Sequence, residues 1–241
     1  KVFMGYSDTT VTHLVCLRAG LVSFYGPAFM SGFAENGGMF PFMVDSVRRT
    51  CFTAAPVGAV EPCREGWTVE HLNWSNPDNQ QRRRVLNPAN GWCFLQGSGV
   101  SQGRLIGGCL DTLLWLRGTP AWPELAAFDG AILFLETSEE APPPQVVAQT
   151  LRSFAAMGIL RRLSGILFGR PGGGVPEAGF SRYEDAILGV VRHEEGLFSL
   201  PIVTRMDFGH TDPMFVLPYG VLAQIDCDNQ RFEILESAVV D

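Results

Sequence analysis

The 241 residues carry 18 basic against 25 acidic side chains, a formal net charge of −7, with 46% hydrophobic and 18% charged residues. That balance is globular, with ample apolar material for a buried core, and excludes a disordered chain. The acidic excess disfavours nucleic acid or an anionic membrane surface as a partner. No apolar run reaches the roughly 18 residues of a membrane span and no signal peptide opens the sequence, so the expectation is a soluble, cytoplasmic protein. The six cysteines, Cys16, Cys51, Cys63, Cys93, Cys109 and Cys227, contain no C-x-x-C pair. They read as reduced thiols, with neither a disulfide framework nor a structural zinc site.

In chain order, Val2–Met4 reads as a short buried strand, and Thr9–Leu21 as a helix from the spacing of Val11, Leu14, Val15 and Leu17. Residues 22–60 alternate short apolar runs, Val22–Tyr25 and Met39–Val44, with Gly and Pro, and suggest strands and turns with a helix near Asp45–Cys51. From Glu61 to Asn90 the chain turns polar, with Arg82, Arg83 and Arg84 side by side and Trp67 and Trp74 standing out. This stretch predicts a long excursion between two domains, its arginines on a solvated face. Gly91–Gly118 reads as glycine-punctuated β-structure passing into a helix over Cys109–Leu116. Ile132–Leu135 is a strand buried on both faces, Gln145–Met157 an amphipathic helix and Ser164–Phe168 another buried strand. Helix returns near Tyr183–His193, and strands follow at Ile202–Arg205 and Leu222–Ile225. Alternating strand and helix predicts an α/β fold.

The first strand runs into Gly5-Tyr6-Ser7, followed by a helix. A strand that stops on G-x-S is similar to a nucleophile elbow, where a tight turn lifts a serine hydroxyl clear of the sheet. The second glycine of the hydrolase pattern is Thr9 here, and Ser7 or Asp8 could instead cap the helix. A serine nucleophile needs a base. Of four histidines, His13 lies within the first helix, His71 in the polar excursion and His193 in a charged stretch. His210 sits just after a strand, in a turn rich in Gly, Thr and Asp. Asp207, His210 and Asp212 form only a weak metal-like grouping, and neither a metal nor a cofactor is expected. Glu136, ending an apolar strand, could orient the imidazole or could be a solvated strand end, the reading given to Glu139 and Glu140.

The blocks GYSDTT, AGLVSFYGP, GRLIGGCLDTL, ILFLETSE, DFGHTDPMFVLPYG and ILESAVVD, in this order, resemble the S66 serine peptidases, which include LD-carboxypeptidases of murein recycling and microcin C immunity peptidases. The resemblance implies Ser7 as nucleophile, Glu136 as acid, His210 as general base and the Asp8 amide as an oxyanion donor. It also implies a murein L,D-peptide or a peptidyl or aminoacyl nucleotide as substrate, and a homodimer. Trp67 and Trp74 fall where immunity peptidases carry a substrate-stacking loop, and Cys109 stands where many relatives have an asparagine beside the substrate. By the same resemblance residues 1–60 are the remainder of a nucleophile-bearing N-terminal α/β domain, 61–90 an inter-domain loop, and 91–241 a C-terminal mixed α/β domain. Relatives carry about a hundred further residues ahead of the serine, with a second oxyanion donor. This chain is therefore expected to be cut from something longer, to be weakly active or inactive alone, and to pack residues 1–60 poorly. The alternative reading is a catalytically incomplete fragment that acts only as a folded or dimerising domain.

Overall fold

The computed structural model describes residues 1–240. Its strands are β1 (Met4–Gly5), β2 (Phe24–Tyr25), β3 (Gly58–Val60), β4 (Cys93–Gln96), β5 (Val100–Cys109), β6 (Ile132–Glu136), β7 (Gly165–Gly169), β8 (Ile202–Met206), β9 (Leu217–Pro218), β10 (Leu222–Asp226) and β11 (Arg231–Ile234). The helices are α1 (Thr10–Arg18), α2 (Pro41–Cys51), α3 (Leu110–Leu116), α4 (Pro144–Ala156) and α5 (Phe180–Leu188). The fold is α/β, built on a small sheet ordered β1-β2-β9 and an eight-stranded sheet ordered β3-β11-β10-β5-β6-β7-β8-β4.

The centre of the large sheet is parallel, β5 to β8 in sequence, with α3, α4 and α5 supplying the crossovers that parallel strands require. Every residue of β6 and β7 is buried, which explains their unbroken apolar runs. Helix α4 begins on Pro144, whose missing N–H is no loss at a first helical position, and it buries Val147, Leu151 and Phe154 at helical spacing. The sheet's outer strands β10, β11 and β3 pair antiparallel, as does β4 with β8.

Two expectations change here. The Met39–Val44 run is not extended. Pro41 opens α2, and Met43, Val47 and Cys51, four residues apart, form its buried face. For residues 1–60 the expectation of poor packing changes only in part: some of the segment enters the main core, while Val2, Val15, Leu21, Phe29, Met30 and Phe52 stay exposed. Leu14, Phe24, Tyr25, Val47 and Val57 belong to the same apolar cluster as Phe134, Val203 and Phe232. Strand exchange explains this, because β9 from the far end of the chain pairs with β2, and β3 pairs with β11.

The polar excursion lacks regular strands, yet it is tethered. Trp67 and Asn87 exchange backbone hydrogen bonds, and Thr68 does the same with Asp212, two residues beyond His210. Arg84 is not on a solvated face as its sequence neighbours suggested. Its side chain is 12% exposed, and it pairs with both Glu35 and Asp212. Among the described residues no helix is long and apolar enough to cross a membrane.

Candidate active site

Strand β1 ends at Gly5, Tyr6 is extended, and Ser7 opens a single 3-10 turn that leads into α1. Ser7 has φ +61°, the left-handed region that a non-glycine residue enters at a cost of about 1–3 kcal/mol. Neither helical segment has a side-chain cap, so the capping reading of Ser7 and Asp8 is not what the fold uses. The Ser7 hydroxyl lies 3.0 Å from His210 Nε2. Its backbone N–H donates to the phenol oxygen of Tyr25 at 3.1 Å. The following amide, that of Asp8, lies in the first turn, where N–H groups lack intrahelical acceptors.

Glu136 is the last residue of β6 and is fully buried. His210 Nδ1 lies 2.7 Å from Glu136 Oε2, and the Tyr25 hydroxyl donates to Oε1. A carboxylate accepts only, so Nδ1 carries a proton; Nε2 accepts from Ser7 in the neutral ring and donates to Glu139 Oε2, 3.0 Å away, once the ring is charged. Gly209 makes this approach possible. It has φ +96°, and a Cβ there would sit 2.6 Å from Glu136 Cβ and Cγ. The ring of Tyr6 leans edge-on against the imidazole, with centroids 4.8 Å apart.

Burial opposes a charged imidazole at His210, but the charge and hydrogen bond of Glu136, with Glu139 and Asp111 behind them, outweigh it and raise its pKa. Glu139 is solvated, as its sequence position suggested, and it also reaches the site. Its side chain is 69% exposed, yet its Oε2 lies 3.0 Å from His210 Nε2, the nitrogen that Ser7 also addresses. Removing that charge should lower the imidazole pKa. An NMR titration of His210 should give a midpoint above the ordinary value near 6.5, moving down in Glu139→Gln. An unchanged midpoint would show that Glu139 does not act on the ring.

The other histidine beside the elbow is structural. His13 Nδ1 accepts from the Ser23 hydroxyl at 2.9 Å, and Nε2–H donates to Gly5 O at 3.0 Å. Burial lowers its pKa to about 4, so it remains neutral while it fastens the end of β1.

Cys109 ends β5 directly opposite Glu136 and is buried. Its N–H donates to the Thr10 hydroxyl at 3.1 Å. Burial first, and then the Glu136 charge, push its thiol well above the ordinary range. Sγ, a Glu136 oxygen and a His210 nitrogen lie within 4.8 Å of one another, the one group of potential metal donors here among the described residues. Two of those three residues already spend their donor atoms on each other. Asp207 and Asp212 do not converge with His210. Asp207 takes bonds from Arg170, Trp92 Nε1 and the Cys63 amide, and Asp212 faces Arg84.

The two tryptophans separate. Trp67 is 5% exposed, its ring against Phe180, and offers no open face. Trp74 is 39% exposed and lines a hollow of about 60 Å³ with Ser31, Glu35, His71 and Arg84. That hollow adjoins the site, because the Ser31 hydroxyl is 2.8 Å from that of Tyr6. Sequence reasoning missed Tyr25. It read as one aromatic residue of a strand, and only its contact with β6 distinguishes it.

Residues 102–225 match the family model described as the LD-carboxypeptidase C-terminal domain. The Microcin C7 self-immunity protein MccF of Escherichia coli is 31% identical over 244 residues, covering 98% of this chain, and the chain spans 66% of that relative's length. An MccF-like protein from Streptococcus pneumoniae, solved with AMP, superposes with a TM-score of 0.84 at 28% identity, over 97% of this chain and 69% of that one. MccF with aspartyl sulfamoyl adenosine gives a TM-score of 0.76 at 27% identity, over 100% of this chain and 69% of that one. A family model across half the sequence and a relative 31% identical over 98% of this chain lead to one conclusion: the chain belongs to the S66 peptidase family.

Proposed function

We propose that this chain carries the reacting groups of a serine hydrolase that cleaves the acyl–nitrogen bond of an aminoacyl or peptidyl nucleotide. One observation carries the reading. A single imidazole, on a loop after β8, reaches a strained elbow serine at 3.0 Å with one nitrogen and a buried carboxylate at 2.7 Å with the other. Nucleophile, base and orienting acid at these distances are the requirements of acyl transfer.

Ser7 Oγ attacks the carbonyl carbon while its proton passes to His210 Nε2. The carbonyl oxygen becomes an oxyanion, and the Asp8 N–H is the local donor to it, since Ser7's own N–H is bound to Tyr25. Glu136 stabilises the imidazolium. His210 then hands its proton to the departing nitrogen, leaving an ester on Ser7. Water, deprotonated by the same imidazole, releases the acid and restores the serine.

The mouth of the site favours the nucleotide class over a murein tetrapeptide. A carboxypeptidase must hold the free carboxylate beside the scissile bond. Here Glu139 and Asp111 place negative charge near His210, which suits a substrate whose neighbouring group is an α-ammonium. Trp74, 39% exposed on a hollow that the Ser31–Tyr6 hydrogen bond links to the site, suits a stacking base. The test offers the full gene product aspartyl sulfamoyl adenosine and an L,D-tetrapeptide side by side. The nucleoside should be cleaved and the tetrapeptide left intact. Release of D-alanine alone would overturn the substrate assignment, and no turnover of either would remove the hydrolase reading.

A further inference from the structure

Tyr25 is wholly buried, its ring packed between Phe134, Tyr219 and His13. Its hydroxyl does two things at once. It donates its one hydrogen to Glu136 Oε1 and accepts the backbone N–H of Ser7 at 3.1 Å. The polarity of this chain is fixed, because a carboxylate cannot donate and an amide cannot accept. His210 Nδ1 holds the other carboxylate oxygen at 2.7 Å. The phenol thus closes a ring of contacts running from the Ser7 amide through Tyr25, Glu136 and His210 back to the Ser7 hydroxyl.

We infer that Tyr25 is a positioning residue for the reaction, a hydroxyl that holds the buried Glu136 carboxylate in place against His210 and at the same time pins the elbow amide so that Ser7 faces the imidazole. This rests on the hydrolase reading above.

The chemistry follows from burial. Glu136 has no solvent contact, so only hydrogen bonds can hold its charge, and Tyr25 and His210 supply one to each oxygen. Without the phenol hydrogen, Oε1 is bare and more of the carboxylate's charge falls on the imidazole, which holds its proton to higher pH. The working state, neutral imidazole beside ionised carboxylate, is then reached later on the alkaline side. The same deletion frees the Ser7 N–H and with it a backbone conformation that a serine does not favour unaided. Tyr25 itself stays protonated, since burial and then the Glu136 charge push its pKa well above 10. Tyr219 provides a matched control. It is equally buried in the same cluster, but its hydroxyl donates to Gly107 O at 2.6 Å and contacts no reacting group.

The test uses the full gene product and a fluorophosphonate, which reports the nucleophilicity of Ser7 whatever the natural substrate. The second-order labelling rate is measured from pH 5 to 9 in wild type, Tyr25→Phe and Tyr219→Phe. Tyr25→Phe should label about ten- to a hundredfold more slowly, the range set by a hydrogen bond to a charged group. Its acid limb should move up by about one pH unit. Tyr219→Phe should label within about twofold of wild type on an unshifted limb. If Tyr25→Phe does not fold, 3-fluorotyrosine at position 25 keeps the ring and strengthens the donor, and should move the limb the opposite way. An unmoved limb in whichever variant folds overturns the inference while labelling of the wild type leaves the hydrolase reading standing. A wild type that does not label at Ser7 removes both.

Discussion

Glu136→Gln should lower kcat by about 10⁴ at neutral pH, the cost of a mis-set tautomer in a triad of this kind. Both carboxylate oxygens accept, one from Nδ1–H of His210 and one from the Tyr25 hydroxyl. A glutamine has the same shape but one accepting oxygen and one donating NH₂. If the NH₂ faces His210, the imidazole must accept at Nδ1 and carry its proton on Nε2. That proton then points at Ser7, and no base remains. If the NH₂ faces Tyr25, the phenol's own hydrogen loses its acceptor, and His210 keeps its tautomer but loses the negative charge that stabilises the imidazolium. Both outcomes disable the site without emptying it. The melting temperature should therefore change little while steady-state turnover collapses, and a loss smaller than about tenfold would remove Glu136 from the mechanism.

Arg84→Met should destabilise the fold by about 3–5 kcal/mol, the scale of breaking a buried ion pair from one side. The guanidinium is 12% exposed, and it neutralises Glu35, 4% exposed, and Asp212, 10% exposed. Methionine fills much of the same volume over the Phe40 ring, which Arg84 caps at 5.6 Å. What it cannot do is separate two buried carboxylates. The pH dependence has a definite sign. Burial already raises the Asp212 pKa, and Arg84 pulls against it. Without Arg84 the folded state holds its proton to still higher pH than the unfolded state, so stability rises as pH falls through that range. Urea denaturation should show the full deficit at pH 8 and a smaller one at pH 5. Asp212 also pairs its backbone with Thr68, two residues from His210, so the variant should lose activity before it unfolds. A deficit that is independent of pH would show that the pair is not neutralising these carboxylates.

What the sequence revealed and what it concealed follow from the range of the interactions involved. The strands bearing the site were legible because burial on both faces leaves an unbroken apolar run, as in Ile132–Leu135, and Glu136 stood out as a charge at the end of one. The elbow was legible because Gly5, Tyr6 and Ser7 fall where a strand turns into a helix. Tyr25 and Arg84 were not legible, because their partners lie far along the chain, Glu136 for one and Asp212 for the other. Nothing local separates a phenol bonded to a buried carboxylate from one that fills a core. The reach of Glu139 to the site was hidden for the same reason: only the tertiary fold carries its carboxylate over the imidazole. The helix expected near Asp45–Cys51 is α2, which begins four residues earlier because Pro41 marks its first turn.

The central claim is that Ser7 becomes acylated. The full gene product, mixed with aspartyl sulfamoyl adenosine, quenched in acid within one turnover and digested with trypsin, should show the acyl group on the peptide Val2–Arg18, with fragmentation placing it on Ser7. The adduct should be absent in Ser7→Ala and in His210→Ala. Hydrolysis that proceeds at the wild-type rate in Ser7→Ala, with no acyl group on that peptide, would contradict the account.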